Sequence, residues 1–182
     1  MSKDILKSNF FELFGLPVSY DVDLNQVQKH YMVLQKQVHP DKFVSGSDQE
    51  KRLSMQQTSW INEAQATLKD PVLRAHYLLQ LNGADENNDT ATTMDAAFLM
   101  QQLEMRERLE NIKHEADPLS VLDTLAHEVK SSTRTMMDGF SLSYQEGRFD
   151  DAREWIRKLQ FLQKAAKEIN VLAADIEDEL MS

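Results

Sequence analysis

The chain of 182 residues contains no cysteine. That absence excludes disulfide bonds, thiolate metal sites and cysteine nucleophiles. Glycine and proline are scarce, with 5 and 4 copies, and β-branched residues are too sparse to produce the alternation of strands. There is no run of about 18 apolar residues that could span a membrane. The first residues, Met1 to Ile5, lack the apolar core of a signal peptide. We therefore expect an all-α, cytoplasmic protein with no membrane association.

Basic residues are outnumbered only in the second part of the chain. Residues 1–82 hold 9 Lys and Arg against 9 Asp and Glu, whereas residues 83–182 hold 11 against 21. The net charge of −10 therefore lies wholly in the second part. Because a surface that binds nucleic acid needs clustered Lys and Arg, we expect no nucleic-acid partner.

The residue patterns of enzymes are also missing. There is no Gly-rich phosphate loop, and no Ser or Thr lies in the context of a nucleophile elbow. The histidines show no metal-ligand spacing on one helical face, and we interpret them as surface residues: His30, His39, His76, His114 and His127. We expect no catalytic residue, no metal site and no cofactor. A small hydrolase, as a further class, has no residue set that supports it.

Four helical segments are predicted in residues 1–82. They are a short helix around Phe10–Phe14, a helix from Leu24 to Val38, one from Asp48 to Leu68, and one from Pro71 to Leu81. Asp23 is a suitable N-cap for the second, and Ser47 with Glu50 has the form of a capping box for the third. Asp70-Pro71 combines an N-cap with proline at the first helical position. The two long helices are expected to form an antiparallel pair.

The connection between the two long helices contains His39-Pro40-Asp41. Pro40 ends the preceding helix, because the residue before a proline is pushed out of the α region. The tripeptide is thus displayed on a loop held by a rigid scaffold, where recognition residues tend to lie. On the helix before it, Lys29 and Lys36 lie about 160° from the apolar stripe, and no acid occurs between Leu24 and Pro40. Those lysines form either a solvated outer face or a cationic face for recognition.

The second part of the chain is predicted to be a three-helix bundle. Residues 84–93 are interpreted as containing nothing to bury, and residues 83–93 are assigned as a linker. Helices are predicted from about Met94 to Lys113, from Pro118 to Tyr144, and from Phe149 to Leu180. Apolar residues of the last helix alternate by four and three, as in helices packed nearly parallel or antiparallel.

Several apolar residues of this bundle lie away from its predicted core. Leu99, Met100 and Leu103 lie about 100–200° from the stripe that contains Phe98 and Met105. Glu104 and Glu107 border these residues, and Phe161 lies about 120° from the seam of the last helix. Two interpretations remain open for this second face. It packs against the first domain, or it binds a partner through flexible Met and aromatic side chains.

Three segments together resemble a J-domain. They are the helix in Asn9–Pro17, the sequence His39-Pro40-Asp41-Lys42, and Ile61-Asn62-Glu63-Ala64 followed by Leu68-Lys69-Asp70-Pro71. A Gly/Phe-rich linker and zinc-binding cysteines are absent, unlike in a general DnaJ. Instead, Phe98-Leu99-Met100-x-x-Leu103-Glu104-x-Arg106-Glu107 and Arg157-Lys158-Leu159-x-Phe161 resemble the HscB family of iron–sulfur cluster biogenesis.

The resemblance implies a J-domain at residues 1–82, a linker at 83–93 and a scaffold-binding three-helix bundle at 94–182. It implies that the protein stimulates the ATPase of a DnaK-type chaperone (HscA-like) and delivers to it the iron–sulfur scaffold protein (IscU-like). The implied chaperone-binding residues are His39, Pro40, Asp41, Lys29, Lys36 and Lys42. The implied scaffold-binding residues are Leu99, Met100, Leu103, Glu104, Glu107 and Phe161. The alternative is a J-domain adaptor that delivers a different client.

Two positions depart from the pattern of the families that the chain resembles. Val38 stands where J-domains often have tyrosine, and the helix before it is richer in Gln than in Arg or Lys. Asn111 stands where HscB relatives often carry an acid, so it is not included among the predicted scaffold-binding residues.

Overall fold

The computed structural model describes residues 5–43, 46–84 and 96–181. All regular structure within these ranges is helical, which confirms the predicted fold class. The α-helices are α1 Phe10–Leu13, α2 Leu24–Val38, α3 Asp48–Lys69, α4 Pro71–Leu81, α5 Ala96–Glu110, α6 Pro118–Gln145 and α7 Phe149–Met181. Two 3₁₀ turns, Pro40–Phe43 and Ile112–His114, complete the described elements. The chain divides into two compact units, Met1–Asp85 and Glu86–Ser182.

The first unit is built on the antiparallel pair of α2 and α3, and α1 and α4 contact α3. Its helices begin where the sequence predicts, because the expected capping residues form hydrogen bonds with the amides of the first turns. Asp23 accepts from the amides of the first turn of α2, and Ser47 and Glu50 form the capping box of α3. Asp70 caps α4 with Pro71 at the first helical position.

An aromatic cluster joins α1 to the helices it contacts. The ring centroid of Phe10 lies 4.9 Å from that of Trp60 and 4.3 Å from that of Tyr77. The Phe10 amide also donates a hydrogen bond of 3.0 Å to the Tyr77 hydroxyl. The short helix α1 is therefore held by packing rather than by its own length.

The second unit is a long antiparallel hairpin of α6 and α7, with α5 packed against α7. A turn at Gly147, where φ is 71°, reverses the chain in the left-handed region that favours glycine. The side chains that fill the space between the helices include Leu109, Leu122, Leu125, Leu162, Ile169 and Ile176.

The predicted extent of α5 needs two corrections. Its expected start at Met94 lies outside the described residues, as do residues 85–93 of the predicted linker. Its expected continuation to Lys113 is wrong, because the α-helix ends at Glu110 and a 3₁₀ turn follows. At the helix end, the Glu107 carbonyl accepts from both the backbone amide of Asn111, at 3.1 Å, and its side-chain amide, at 2.9 Å. The turn leaves Ile112 buried in the core.

Some residues on predicted core stripes are exposed. Leu24 is 49% exposed, Leu53 45%, Leu81 41% and Leu180 74%. Leu24, Leu81 and Leu180 lie in the terminal turns of their helices. In the hairpin, α7 has 33 residues against 28 in α6, so its last turn extends past the start of its partner. His30 departs from the expected surface role, since its half-buried ring hydrogen-bonds the Phe14 carbonyl.

Gly139 allows α6 and α7 to approach closely. A Cβ at this position would lie 2.7 Å from the Trp155 ring, and the indole nitrogen is held by a 3.1 Å hydrogen bond to the Ser143 hydroxyl. We expect Gly139→Ala to lower the free energy of unfolding by about 1 kcal/mol. Overpacking costs ~1–3 kcal/mol, and the helix preference of alanine returns only ~1 kcal/mol. Urea denaturation monitored by circular dichroism measures the change.

The matched control repeats Gly139→Ala in a Trp155→Leu background. With the ring removed, the same substitution should stabilise the helix, because only the helix preference remains. Destabilisation of similar size in both backgrounds would contradict the proposed clash.

Candidate functional site

The loop between α2 and α3 displays His39 and Asp41 side by side. The Asp41 amide donates to His39 Nδ1 at 3.3 Å, and Asp41 Oδ2 lies 3.5 Å from the same nitrogen. The two side chains are 52% and 87% exposed. Both the imidazole of His39 and the carboxylate of Asp41 are therefore accessible to a partner. Pro40 lies between them and begins the 3₁₀ turn.

The carbonyl of Val38, the residue just before this tripeptide, is anchored by α3. The buried hydroxyl of Ser54 donates to it at 2.5 Å, and the hydroxyl of Thr58 lies at 3.5 Å. The last carbonyls of a helix have no partner within the helix, so a side chain from α3 satisfies this one. The anchor fixes the point from which the loop leaves α2. Nothing in the periodicity of α3 distinguishes Ser54, and this role could not be inferred from the sequence.

We expect Ser54→Ala to lower the free energy of unfolding by about 1–2 kcal/mol, because a buried carbonyl loses its short hydrogen bond. Chemical denaturation of the full chain measures the loss. Ser59→Ala, an exposed serine of the same helix, is the matched control and should change stability little. Equal stability of the two variants would show that the Ser54 hydroxyl does not anchor the loop.

Two lysines of α2 and one of the 3₁₀ turn that follows it are here called the cationic face: Lys29, Lys36 and Lys42. All three are exposed, and none makes an ion pair with another described residue. Lys36 also lies in the last turn of α2, where a cation is favoured by the helix dipole. The described part of α2 thus presents cations without neutralising acids on the side away from α3.

Glutamines of α2 hold the helix pair together. Gln65 Nε2 donates to Gln28 Oε1 at 3.0 Å, and Gln35 Nε2 donates to Asn62 Oδ1 at 2.6 Å. Tyr31 also donates to Asn62 Oδ1, at 3.1 Å. The glutamine content of this helix therefore has a structural role, and Asn62 contributes to the α2–α3 contact.

The second candidate site lies on α5. In the stripe predicted to face the core, Phe98, Leu109 and Ile112 are buried and Met105 is half-buried. On the opposite side, Leu99 is 44% exposed, Met100 67% and Leu103 53%. Glu104 and Glu107 are exposed beside them. The helix therefore has an apolar face toward the core and a second apolar face toward solvent, as its periodicity indicates.

Phe161 is half-buried rather than fully exposed. Its ring meets that of Phe98 edge to face at a centroid distance of 5.6 Å, and it packs against the bundle core. Phe161 therefore supports the bundle and also contributes to its surface, which the heptad pattern alone did not indicate.

A groove of about 580 Å³ runs between α5 and α7. We call it the α5–α7 groove. It is lined by Leu99, Gln102, Leu103, Met105, Arg106, Leu109, Glu110, Phe161, Lys164, Ala165 and Glu168. The structure therefore brings Leu99, Leu103 and Phe161 together in one concave surface. The charged residues contributed by α7, Lys164 and Glu168, were not predicted, because they have the ordinary spacing of an exposed helix face.

Glu104 lies on the other flank of α5, in a second cavity of about 240 Å³ that Phe161 also lines. Met100 and Glu107 line neither of these cavities. Beside Glu104, Arg108 binds Glu128 of α6 through two hydrogen bonds of 2.7 and 3.2 Å. These hydrogen bonds lower the pKa of Glu128. Of the six predicted residues, the structure thus brings Leu99, Leu103 and Phe161 together in the α5–α7 groove and places Glu104 on the other flank of α5. Met100 and Glu107 are exposed outside both cavities.

Comparisons with known proteins agree with both units. The family model of the DnaJ domain matches residues 9–77, and that of the HscB C-terminal oligomerisation domain matches residues 94–170. The co-chaperone protein HscB homolog of Shewanella halifaxensis is 44% identical over 164 residues, which cover 88% of this chain and 94% of that protein. The chain belongs to the HscB family.

Solved structures of HscB proteins share the fold. Chaperone HscB from Vibrio cholerae superimposes with a TM-score of 0.81 at 35% identity, covering 95% of this chain and 99% of that one. The human co-chaperone protein HscB gives a TM-score of 0.80 at 29% identity, covering 91% of this chain and 82% of that one. The protein is accordingly a J-domain co-chaperone, and a J-domain implies a DnaK-type chaperone as its partner.

Two further properties concern the described part of the HscB fold. Within residues 5–43, 46–84 and 96–181, no helix is both long and apolar enough to cross a membrane. No group of three or more His, Asp or Glu side chains in these ranges could hold a metal ion.

Proposed function

We propose that this protein stimulates the ATPase of an HscA-like chaperone of the DnaK type and delivers an IscU-like iron–sulfur scaffold protein to it. The observation that carries the proposal is the pair of exposed side chains, His39 and Asp41, on a loop whose start is anchored through the Val38 carbonyl. The cationic face that accompanies them forms no ion pair with the described residues. The protein performs no chemistry itself in this proposal. It changes which state of the chaperone is populated.

The chaperone-binding residues in this proposal are His39, Pro40, Asp41, Lys29, Lys36 and Lys42. The lysines supply long-range attraction to an acidic surface of the chaperone. His39 and Asp41 then make the specific contacts. A docked loop can shift the chaperone toward its hydrolysing state only by binding that state more tightly than the other. The loop must therefore keep one geometry, and the anchor at Val38 supports that requirement.

The scaffold-binding residues in this proposal are Leu99, Met100, Leu103, Glu104, Glu107 and Phe161. Exposed apolar side chains in a groove, bordered by acids, have the composition of a protein-binding surface. Large exposed apolar patches on a protein mark sites of interaction. The groove on one side and the acids on the other favour a partner with an apolar segment next to basic residues.

The two activities are assigned to separate parts of the chain. We propose that residues 1–82 act as the J-domain, residues 83–93 as the linker and residues 94–182 as the scaffold-binding bundle. The absence of cysteine is compatible with a reducing cytoplasm, where we propose that the protein acts.

The deciding experiment measures ATP hydrolysis by the purified chaperone with this protein alone, with the scaffold alone, and with both. We expect stimulation by this protein and greater stimulation when the scaffold is present. Unchanged hydrolysis in all combinations would contradict the proposal.

The alternative is a J-domain adaptor for another client. The same assay separates the two, because a different client predicts stimulation by this protein with no further effect of the scaffold. Binding of the full chain to the purified scaffold, measured by calorimetry, gives an independent answer.

A further inference from the structure

The middle of α7 is cationic in a part of the chain that is otherwise strongly acidic. Between Trp155 and Lys167 the helix contains four basic residues and no acid. Residues 83–182 as a whole hold 21 acids against 11 basic residues. The basic residues are Arg157, Lys158, Lys164 and Lys167. These basic residues lie on the helix that forms one wall of the α5–α7 groove.

Two of these basic residues are occupied by contacts within the unit. Arg157 pairs with Glu154 of the same helix. The Lys158 ammonium lies over two rings, 5.4 Å from the centroid of Phe98 and 4.9 Å from that of Trp155. Such cation–π contacts hold the ammonium in place. Neither residue needs a partner molecule to explain its position.

Lys164 is different. It lines the α5–α7 groove one helical turn from Phe161, is exposed, and makes no ion pair with any described residue. Arg106, across the groove, is paired with Glu110 at 2.9 Å. Glu168 lies four residues after Lys164, but the two side chains form no ion pair. A pair of this spacing is less stable when the lysine precedes the glutamate than in the reverse order. Lys164 therefore brings to the groove, one turn from Phe161, a positive charge that forms no ion pair within the described residues, and Glu168 lies one turn further along α7.

We infer that Lys164 selects a scaffold segment that carries a carboxylate next to its apolar anchor, with the anchor against Leu99, Leu103 and Phe161. The inference rests on the proposed function, since it concerns the scaffold bound in that same groove. It commits to the scaffold rather than a second copy of this chain. Two copies would bring together bundles that each carry an excess of acids, and like charge opposes their association.

The test measures binding of the purified iron–sulfur scaffold to the full chain by calorimetry. We expect Lys164→Glu to weaken binding about threefold to tenfold, because an exposed ion pair is lost and replaced by repulsion. Added salt should reduce the difference between Lys164→Glu and the unsubstituted chain, since the lost attraction is screened. Lys167→Glu is the matched control, with the same change in net charge on the same helix but outside the groove. It should bind like the unsubstituted chain.

Each other outcome has a definite meaning. Equal weakening by Lys164→Glu and Lys167→Glu would reveal a general charge effect and overturn the inference. Unchanged or tighter binding of the scaffold by Lys164→Glu would also overturn the inference about Lys164. If Leu99→Ala still loses binding in that case, the proposed function of the groove stands. A change in self-association without a change in scaffold binding would identify a second copy as the occupant. Failure of the unsubstituted chain to bind the scaffold would overturn the proposed function itself.

Discussion

His39→Gln should abolish stimulation of the chaperone ATPase while leaving the helices intact. The imidazole is 52% exposed, and within the described residues it contacts only Asp41 through a hydrogen bond and an ion pair, so its removal costs the fold little. A hot-spot residue of a protein interface costs ~2 kcal/mol or more when replaced, which corresponds to at least about a 30-fold loss of affinity. Stimulation should therefore be lost at concentrations near the dissociation constant of the unsubstituted protein. Chaperone ATPase rates across a range of co-chaperone concentrations measure this effect, and circular dichroism reports the fold.

A matched histidine is available in the second unit. His127 is 75% exposed and lies 3.7 Å from Asp123, so His127→Gln makes the same chemical change beside a similar acid. This control should stimulate the ATPase like the unsubstituted protein. Full stimulation by His39→Gln would exclude His39 from the contact with the chaperone, and equal loss in both variants would indicate damage unrelated to docking.

The second large effect concerns the α5–α7 groove. Leu99→Ala combined with Phe161→Ala should weaken binding of the iron–sulfur scaffold about 100-fold, because apolar anchors in a groove carry much of the energy of an interface. The two substitutions differ in their cost to the fold. Leu99 is 44% exposed, whereas Phe161 packs on Phe98, and its loss should cost ~2 kcal/mol of stability. Calorimetry measures binding, and urea denaturation measures stability.

Two comparisons separate binding from folding in this groove. Phe161→Leu keeps an apolar side chain on Phe98 and should recover most of the stability. Leu180→Ala makes the same change as Leu99→Ala at a residue that is 74% exposed and outside the groove, and should affect neither property. If the double variant unfolds the bundle and the single Leu99→Ala variant binds the scaffold normally, these residues belong to the core.

Helical structure was predictable because local signals determine it. Capping residues and prolines mark the starts of α2, α3, α4 and α6, and these signals act within a few residues along the chain. The end of α5 was not predictable in the same way. There, burial of Ile112 requires a change of direction, and tertiary packing overrides the continued helical pattern.

The candidate sites were predictable to different degrees. The exposed face of α5 was identified because Leu99 and Leu103 break a period that the core must follow. The groove that joins them to Phe161 depends on how α5 lies against α7, and no single-helix pattern contains that information. Ser54 and Lys164 were missed for the same reason. Each has an ordinary position on its own helix and acquires a role only through a neighbour.

The neutral bridges between α2 and α3 have a consequence for solution behaviour. Hydrogen bonds among Gln28, Gln35, Asn62 and Gln65 join uncharged amides, so salt has no net charge to screen between the two helices. The charges of the cationic face, in contrast, are screened by salt. The distance over which they act falls from about 10 Å at 0.1 M salt to about 3 Å at 1 M. We therefore expect higher ionic strength to weaken the proposed attraction to the chaperone without loosening these hydrogen bonds between α2 and α3.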